Sequence, residues 1–215
     1  IGTGPYKYVS RSPQENVVVE RFDDYWGEKA NIENVTFKIC ANADSIVMNL
    51  EGGSIDMFAR VTATQAAELS DKFDVLEGTM NLVQALYLNN AVAPFDDVRV
   101  RQALSYAVNP QEIMDIISDG KGTELGSSMF PAFGKYYMEE LNDTYQQNFD
   151  KAKELLAEAG YPDGFTIGLT LPKSYPMYTN IGQIIADQLE RVGIHCEIEM
   201  VEWADWMQNV YTDKN

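Results

Sequence analysis

The sequence predicts an α/β protein with two lobes, each built around a βαβ unit. Three observations carry this reading. Residues 35–59 run strand, helix, glycine pair, strand: Val35, Phe37 and Ile39 share one face, and Ile46, Val47 and Leu50 form a helical stripe. Gly52-Gly53 then supplies a left-handed helix end, and Ile55-Asp56-Met57-Phe58-Ala59 is extended. In the last third, Phe165, Ile167, Leu169 and Leu171 alternate, as do Ile194, Cys196, Ile198 and Met200. Ile181, Ile184, Ile185, Leu189 and Val192 line the helix between those two strands, which Gly193 closes. Strands joined through a helix pair in parallel, and the crossover is right-handed. Third, Ala91-Val92-Ala93-Pro94 reads as a linker between the two regions. The organisation is therefore a first lobe at residues 1–90, a crossing at 91–97 and a second lobe at 98–215.

The remaining elements follow in chain order. Residues 6–10 and 17–21 are strands around Ser12-Pro13-Gln14-Glu15, followed by a polar, aromatic loop at residues 23–27. Residues 64–69 form a short helix, and residues 73–76 and 83–89 complete the first lobe as strands. After the linker, Asp96 or Asp97 caps a helix whose apolar stripe is Val100, Ala103, Leu104 and Ala107. Asn109-Pro110-Gln111-Glu112 is a capping signature for the next helix, with Ile113, Ile116 and Ile117 as its buried face and Gly120 at its end. Residues 121–148 have few periodic apolar positions, and loops this long are often functional. Ala152, Leu155, Leu156 and Ala159 form a further helical stripe closed by Gly160.

Composition excludes several classes. Asp and Glu outnumber Lys and Arg 33 to 16, giving a formal net charge of −17. Neutralising nucleic-acid phosphates needs clustered Lys and Arg, so nucleic acid is not a partner. No apolar run approaches the length of a membrane span. A serine or cysteine hydrolase would have to use His195, the only histidine, which sits on the polar side of its strand with no Gly-x-Ser-x-Gly beside it. Gly2-Thr3-Gly4-Pro5 lacks the third glycine and the Lys-Ser/Thr of a phosphate loop. Asp23-Asp24 and Asp96-Asp97 lack calcium-loop spacing and read as caps or solvated turns. Cys40 and Cys196 lack zinc-site spacing; they fall in strands of different lobes and read as two buried, unpaired thiols. No cofactor and no metal is expected.

Four segments resemble one family. Pro94-Phe95-Asp96-Asp97-Val98-Arg99-Val100-Arg101-Gln102-Ala103-Leu104-Ser105-Tyr106-Ala107 is similar to a segment of the family 5 bacterial extracellular solute-binding proteins, the peptide- and nickel-type receptors of ABC importers. Gly2-Thr3-Gly4-Pro5-Tyr6-Lys7, residues 149–161 and residues 188–194 with Glu202-Trp203 resemble further segments of that family, in the same order. The resemblance implies a type II periplasmic-binding-protein fold, of which this chain is an internal segment of a longer one. It implies an extracytoplasmic receptor, in the periplasm or on the cell surface as a lipoprotein, that captures peptides in an inter-lobe cleft and delivers them to ABC permease subunits. It touches the membrane only through a lipid anchor outside this segment. A nickel chelate, an oligosaccharide or another small solute is the alternative ligand, and a hydrolase is the distant alternative function.

The candidate ligand contacts are Tyr87, Asn89, Phe130 and Tyr175. Tyr87 and Asn89 share one face of the strand that precedes the crossing, with Leu86 and Leu88 on the other face as core; the competing reading makes Tyr87 a core tyrosine. By resemblance, the cleft also receives the loops that carry Met129-Phe130 and Ser174-Tyr175. Phe130 and Tyr175 are candidates for stacking on a ligand, against a packing role for each. Trp203 and Trp206 read as a helical anchor packed into the core of the second βαβ unit.

Overall fold

The computed structural model describes residues 2–40 and 43–213. The chain divides into two compact units, Ile1–Phe73 and Asp74–Asn215.

The first unit holds an antiparallel sheet of order β1-β2-β3, made of β1 (Tyr6–Ser12), β2 (Asn16–Arg21) and β3 (Asn34–Lys38). The hairpin pairs Tyr6 with Arg21 and Ser12 with Asn16, with a bulge between Tyr8 and Ser10. Two helices follow, α1 (Ala43–Glu51) and α2 (Ala63–Leu69). The second is closed by a full capping box: the Thr62 hydroxyl accepts from Gln65 N, and the Gln65 side chain accepts from Thr62 N. Leu50 and Leu69 are buried here.

The βαβ unit expected at residues 35–59 does not form. Residues 55–59 join no ladder, and β3 pairs only with β2 among the described residues. The chain is turned aside at the helix end, where Ser54 N and Ile55 N both donate to the Asn49 carbonyl, at 2.9 and 3.3 Å. Lys38 reinforces that turn by donating to Asn49 Oδ1 at 2.7 Å. Residues 73–76 and 83–89, also expected as strands, have no ladder partner among the described residues. Alternation selects a face but does not supply the neighbouring strand that the backbone N–H and C=O groups require. Cys40 lies beyond the end of β3 rather than inside it, and neither cysteine is in a disulfide.

The second unit follows the expected pattern closely. Its elements are α3 (Val98–Ala107), α4 (Pro110–Ser118), α5 (Phe149–Glu158), β4 (Phe165–Pro172), α6 (Pro176–Glu190), β5 (Ile194–Val201) and α7 (Trp203–Trp206). The expected parallel βαβ is present: β4 and β5 pair from Phe165↔Ile194 to Pro172↔Val201, with α6 as the connection. The core is drawn from the predicted stripes. Val100, Ala103, Leu104 and Ala107 of α3 meet Ala152, Leu155 and Leu156 of α5 and Ile185 and Leu189 of α6, with Val192 and Ile194 closing the cluster. Leu86 and Leu88 pack against the same cluster, so residues 74–90, placed in the first lobe on sequence, fall in the second compact unit.

Two polar arrangements fix this core. Asp97 caps α3 by accepting from Arg99 N at 2.8 Å, and it holds the Arg99 guanidinium through both carboxylate oxygens. The same guanidinium donates to the Glu158 carbonyl at 2.6 Å, tying the start of α3 to the last turn of α5. Gln188, fully buried, accepts from Asn109 N at 3.0 Å and donates to Glu112 Oε2 at 2.7 Å. Asn109 Oδ1 caps α4 as expected, but Glu112 turns to Gln188 instead of completing the capping box. The expected burial of Ile116 is not found: it is 61% exposed, because α4 meets α6 along an open groove lined by Glu112, Ile117, Asn180 and Ile184.

The Asp97–Arg99 pair yields a pH prediction. Hydrogen bonds from Arg99 lower the Asp97 carboxyl to about 2, below the roughly 3.9 of a free aspartate. A depressed carboxyl contributes stability that is complete above the unfolded value and is lost as pH falls through the folded value. Melting temperatures of the native protein and an Asp97→Asn variant should therefore differ most above about pH 4 and converge towards pH 2. A difference unchanged across that range would contradict the pairing.

Candidate functional site

The four predicted contact residues occupy three different places. In residues 83–89, Leu86 and Leu88 pack against the core and Tyr87 is turned out. Tyr87 is 80% exposed and does not join the core of this segment. Asn89 is half-buried, and its Oδ1 accepts from Ala91 N at 3.1 Å, a local turn that starts the linker. Gln84, three residues before Tyr87, reaches the Met177 sulfur at 3.8 Å and so lies beside the start of α6.

Phe130 opens a 3₁₀ turn at Pro131–Tyr136, and its ring packs on Phe133 at 4.4 Å. That turn lies in the long segment before α5. The segment is pinned where Asn142 Oδ1 accepts from Gly126 N at 2.8 Å, and at its end where Asn148 N donates to the Tyr106 carbonyl at 2.8 Å. Tyr175 lies just beyond β4 as the N-cap residue of α6, 43% exposed. No ring contact joins Tyr87, Phe130 and Tyr175 to one another among the described residues.

Tyr175 instead belongs to an aromatic cluster. It meets Trp203 edge-on at 5.2 Å and Tyr178 at 5.5 Å, and Trp203 stacks on Trp206 with planes 7° apart. Neither Trp203 nor Trp206 belongs to the main core cluster: Trp203 is exposed and Trp206 is half-buried. Trp203 is 41% exposed just past the end of β5. The sequence signal was the indole pair three residues apart, just past a strand; which side of the sheet end it occupies depended on tertiary contacts.

The other chemistry-bearing residues are engaged at the surface. His195 Nδ1 lies 3.0 Å from Glu190 Oε2, both side chains well exposed. Asp23 pairs with Lys29 and Arg21, hydrogen bonds that hold its carboxyl below the usual range, with Lys29 contributing most. Burial pushes the Cys196 thiol up, which disfavours its thiolate. No group of three His, Cys, Asp or Glu side chains among the described residues is placed to hold a metal ion, and no helix among them is long and apolar enough to cross a membrane.

Similarity to known proteins defines the class. The fold matches the ABC transporter-associated periplasmic binding protein DppA from Helicobacter pylori, in complex with the peptide STSA, with a TM-score of 0.78 and 25% identity over 97% of this chain and 40% of that one. The dipeptide binding protein from Pseudoalteromonas sp. SM9913, in complex with Met-Leu, matches with a TM-score of 0.76 and 23% identity over the whole of this chain and 43% of that one. The architecture is thus the α/β fold of the type II periplasmic binding proteins. The chain belongs to the bacterial extracellular solute-binding proteins, family 5, whose middle-region model matches residues 1–215. Among characterised relatives, Heme-binding protein A of Haemophilus influenzae is 30% identical over 212 residues, 96% of this chain and 38% of that protein. The Dipeptide-binding protein of Escherichia coli is 29% identical over 214 residues, 97% of this chain and 40% of that protein. The chain therefore spans about two fifths of the length of these relatives.

Proposed function

We propose that the whole protein is the extracytoplasmic substrate-binding component of an ABC importer and that it captures peptides. It works by closing two lobes on the solute about a crossing at residues 91–97, and it catalyses no reaction. Its partners are the solute and ABC permease subunits. It resides in the periplasm or at the cell surface, held to the membrane only by a lipid anchor outside this segment. The observation that carries the reading is the family match along residues 1–215, joined to relatives and neighbours named for dipeptide and peptide binding. Tyr87 supports it locally: a large aromatic side chain left 80% exposed beside a packed core is suited to contact a ligand. Tyr87, Asn89, Phe130 and Tyr175 are proposed as parts of the cleft wall, the rest of which lies outside this segment.

Native mass spectrometry of the full-length protein, purified without refolding, tests the reading. Release of peptides from the folded protein is the expected result. Release of a haem, a metal chelate or a sugar in their place would make it a receptor for that solute. Turnover of a peptide, abolished by His195→Ala, would overturn the receptor reading itself.

A further inference from the structure

Towards its carboxyl end β5 becomes exposed, while β4 stays buried at Leu171 and Pro172. Ile194 and Leu169 are buried, whereas Met200, paired with Leu171 near the strand ends, is 49% exposed. Just past those ends lie the rings of Tyr175 and Trp203, one beyond each strand. The two ends are joined by a backbone hydrogen bond, Lys173 N to the Val201 carbonyl at 2.9 Å, and by the Lys173–Glu202 ion pair. In open α/β sheets, ligands bind outside the carboxyl ends of the parallel strands, where loops from successive strands converge.

We propose that Tyr175 and Trp203 form a subsite for an aromatic side chain of the ligand. This rests on the peptide-receptor reading above. Trp203 stacks on Trp206 and meets Tyr175 in edge-to-face geometry, so its ring is ordered before any ligand arrives. Both rings remain more than 40% exposed, Trp203 at 41% and Tyr175 at 43%, so an incoming ring has apolar surface to cover. Aromatic rings meet in offset or edge-on geometry, the arrangement Tyr175 already makes with Trp203. The neighbouring ion pair, half-exposed on both sides, offers one positive and one negative group to an amphoteric peptide backbone. A purely apolar partner surface would gain nothing from that pair.

The test is calorimetric titration of the full-length protein with two dipeptides, Ala-Phe and Ala-Ala. The native protein should bind Ala-Phe roughly tenfold more tightly, the scale of one well-placed aromatic contact. Trp203→Ala should abolish that preference, while Trp203→Phe should keep most of it. Ala-Ala affinity should stay within about twofold in the two Trp203 variants, which also reports an intact fold. Tyr175→Ala should reduce the preference in the same way and decides the matter if Trp203→Ala fails to fold. Equal loss for both peptides, or no change for either, overturns the subsite and leaves the receptor reading standing. Failure of the native protein to bind either peptide overturns the peptide reading and the subsite with it.

Discussion

Gly164→Ala should cost the protein roughly 4 kcal/mol or more, among the largest effects of any single substitution. Gly164 adopts φ +77°, and a Cβ added there would lie 1.8 Å from the Gly193 carbonyl oxygen and 2.4 Å from its carbon. Those are backbone atoms that cannot swing away. The Gly193 carbonyl accepts from Phe165 N at 3.1 Å, the bond that starts the β4–β5 ladder. Relief of the clash would separate the two strands at their first pair, beside the core residue Ile194. Gly160→Ala is the control: φ there is +95°, but nothing lies within 4 Å of the added carbon. It should show only the backbone strain of a non-glycine residue, about 1–2 kcal/mol. Denaturant unfolding of the full-length variants separates the two, and equal losses would mean that the close approach at Gly164 is not a constraint.

Leu189→Ala should cost roughly 2–5 kcal/mol. Leu189 has no exposed surface and sits in α6 within the cluster that α3 and α5 share, so the deletion leaves a cavity in the core. Ile116→Ala removes a comparable volume from α4, yet Ile116 is 61% exposed. Its cost should stay within about 0.5–1 kcal/mol. The pair is informative because helical spacing alone marks both residues as core. Similar losses at the two sites would contradict the open groove between α4 and α6.

That contrast shows where the sequence was readable. The stripes of α3, α5 and α6 and the alternation of β4 and β5 were legible, because each element buries one face against its neighbours in the same unit. The groups at the caps of α3 and α4 were legible too, since Asp97 and Asn109 each satisfy a backbone N–H two or three residues away. Gln188 was not: a buried amide is recognisable only when Asn109 and Glu112, nearly 80 residues earlier, are seen to meet it. Residues 55–59 and 83–89 carry a strand's composition without its ladder, because pairing depends on a neighbour that pattern cannot name. The motif at residues 94–107 identified the family through architecture. Its Asp97 and Arg99 join α3 to α5, and its Val100, Ala103, Leu104 and Ala107 are core, so it says nothing about the ligand. For the candidate site, the outward turn of Tyr87 followed from alternation with Leu86 and Leu88. The Tyr175–Trp203 cluster did not, since its rings come from segments 28 residues apart in the sequence.

The most direct measurement is ligand affinity alongside melting temperature for Tyr87→Ala and Leu88→Ala in the full-length protein. Tyr87 is exposed and contributes little to packing, whereas Leu88 is packed against the core. Tyr87→Ala should weaken peptide binding and leave the melting temperature almost unchanged. Leu88→Ala should lower stability by about 2 kcal/mol and leave affinity per folded molecule intact. The opposite pattern, with Tyr87→Ala unfolding the protein and the remaining folded molecules binding peptide as before, would contradict the proposal that this face of residues 83–89 meets the solute.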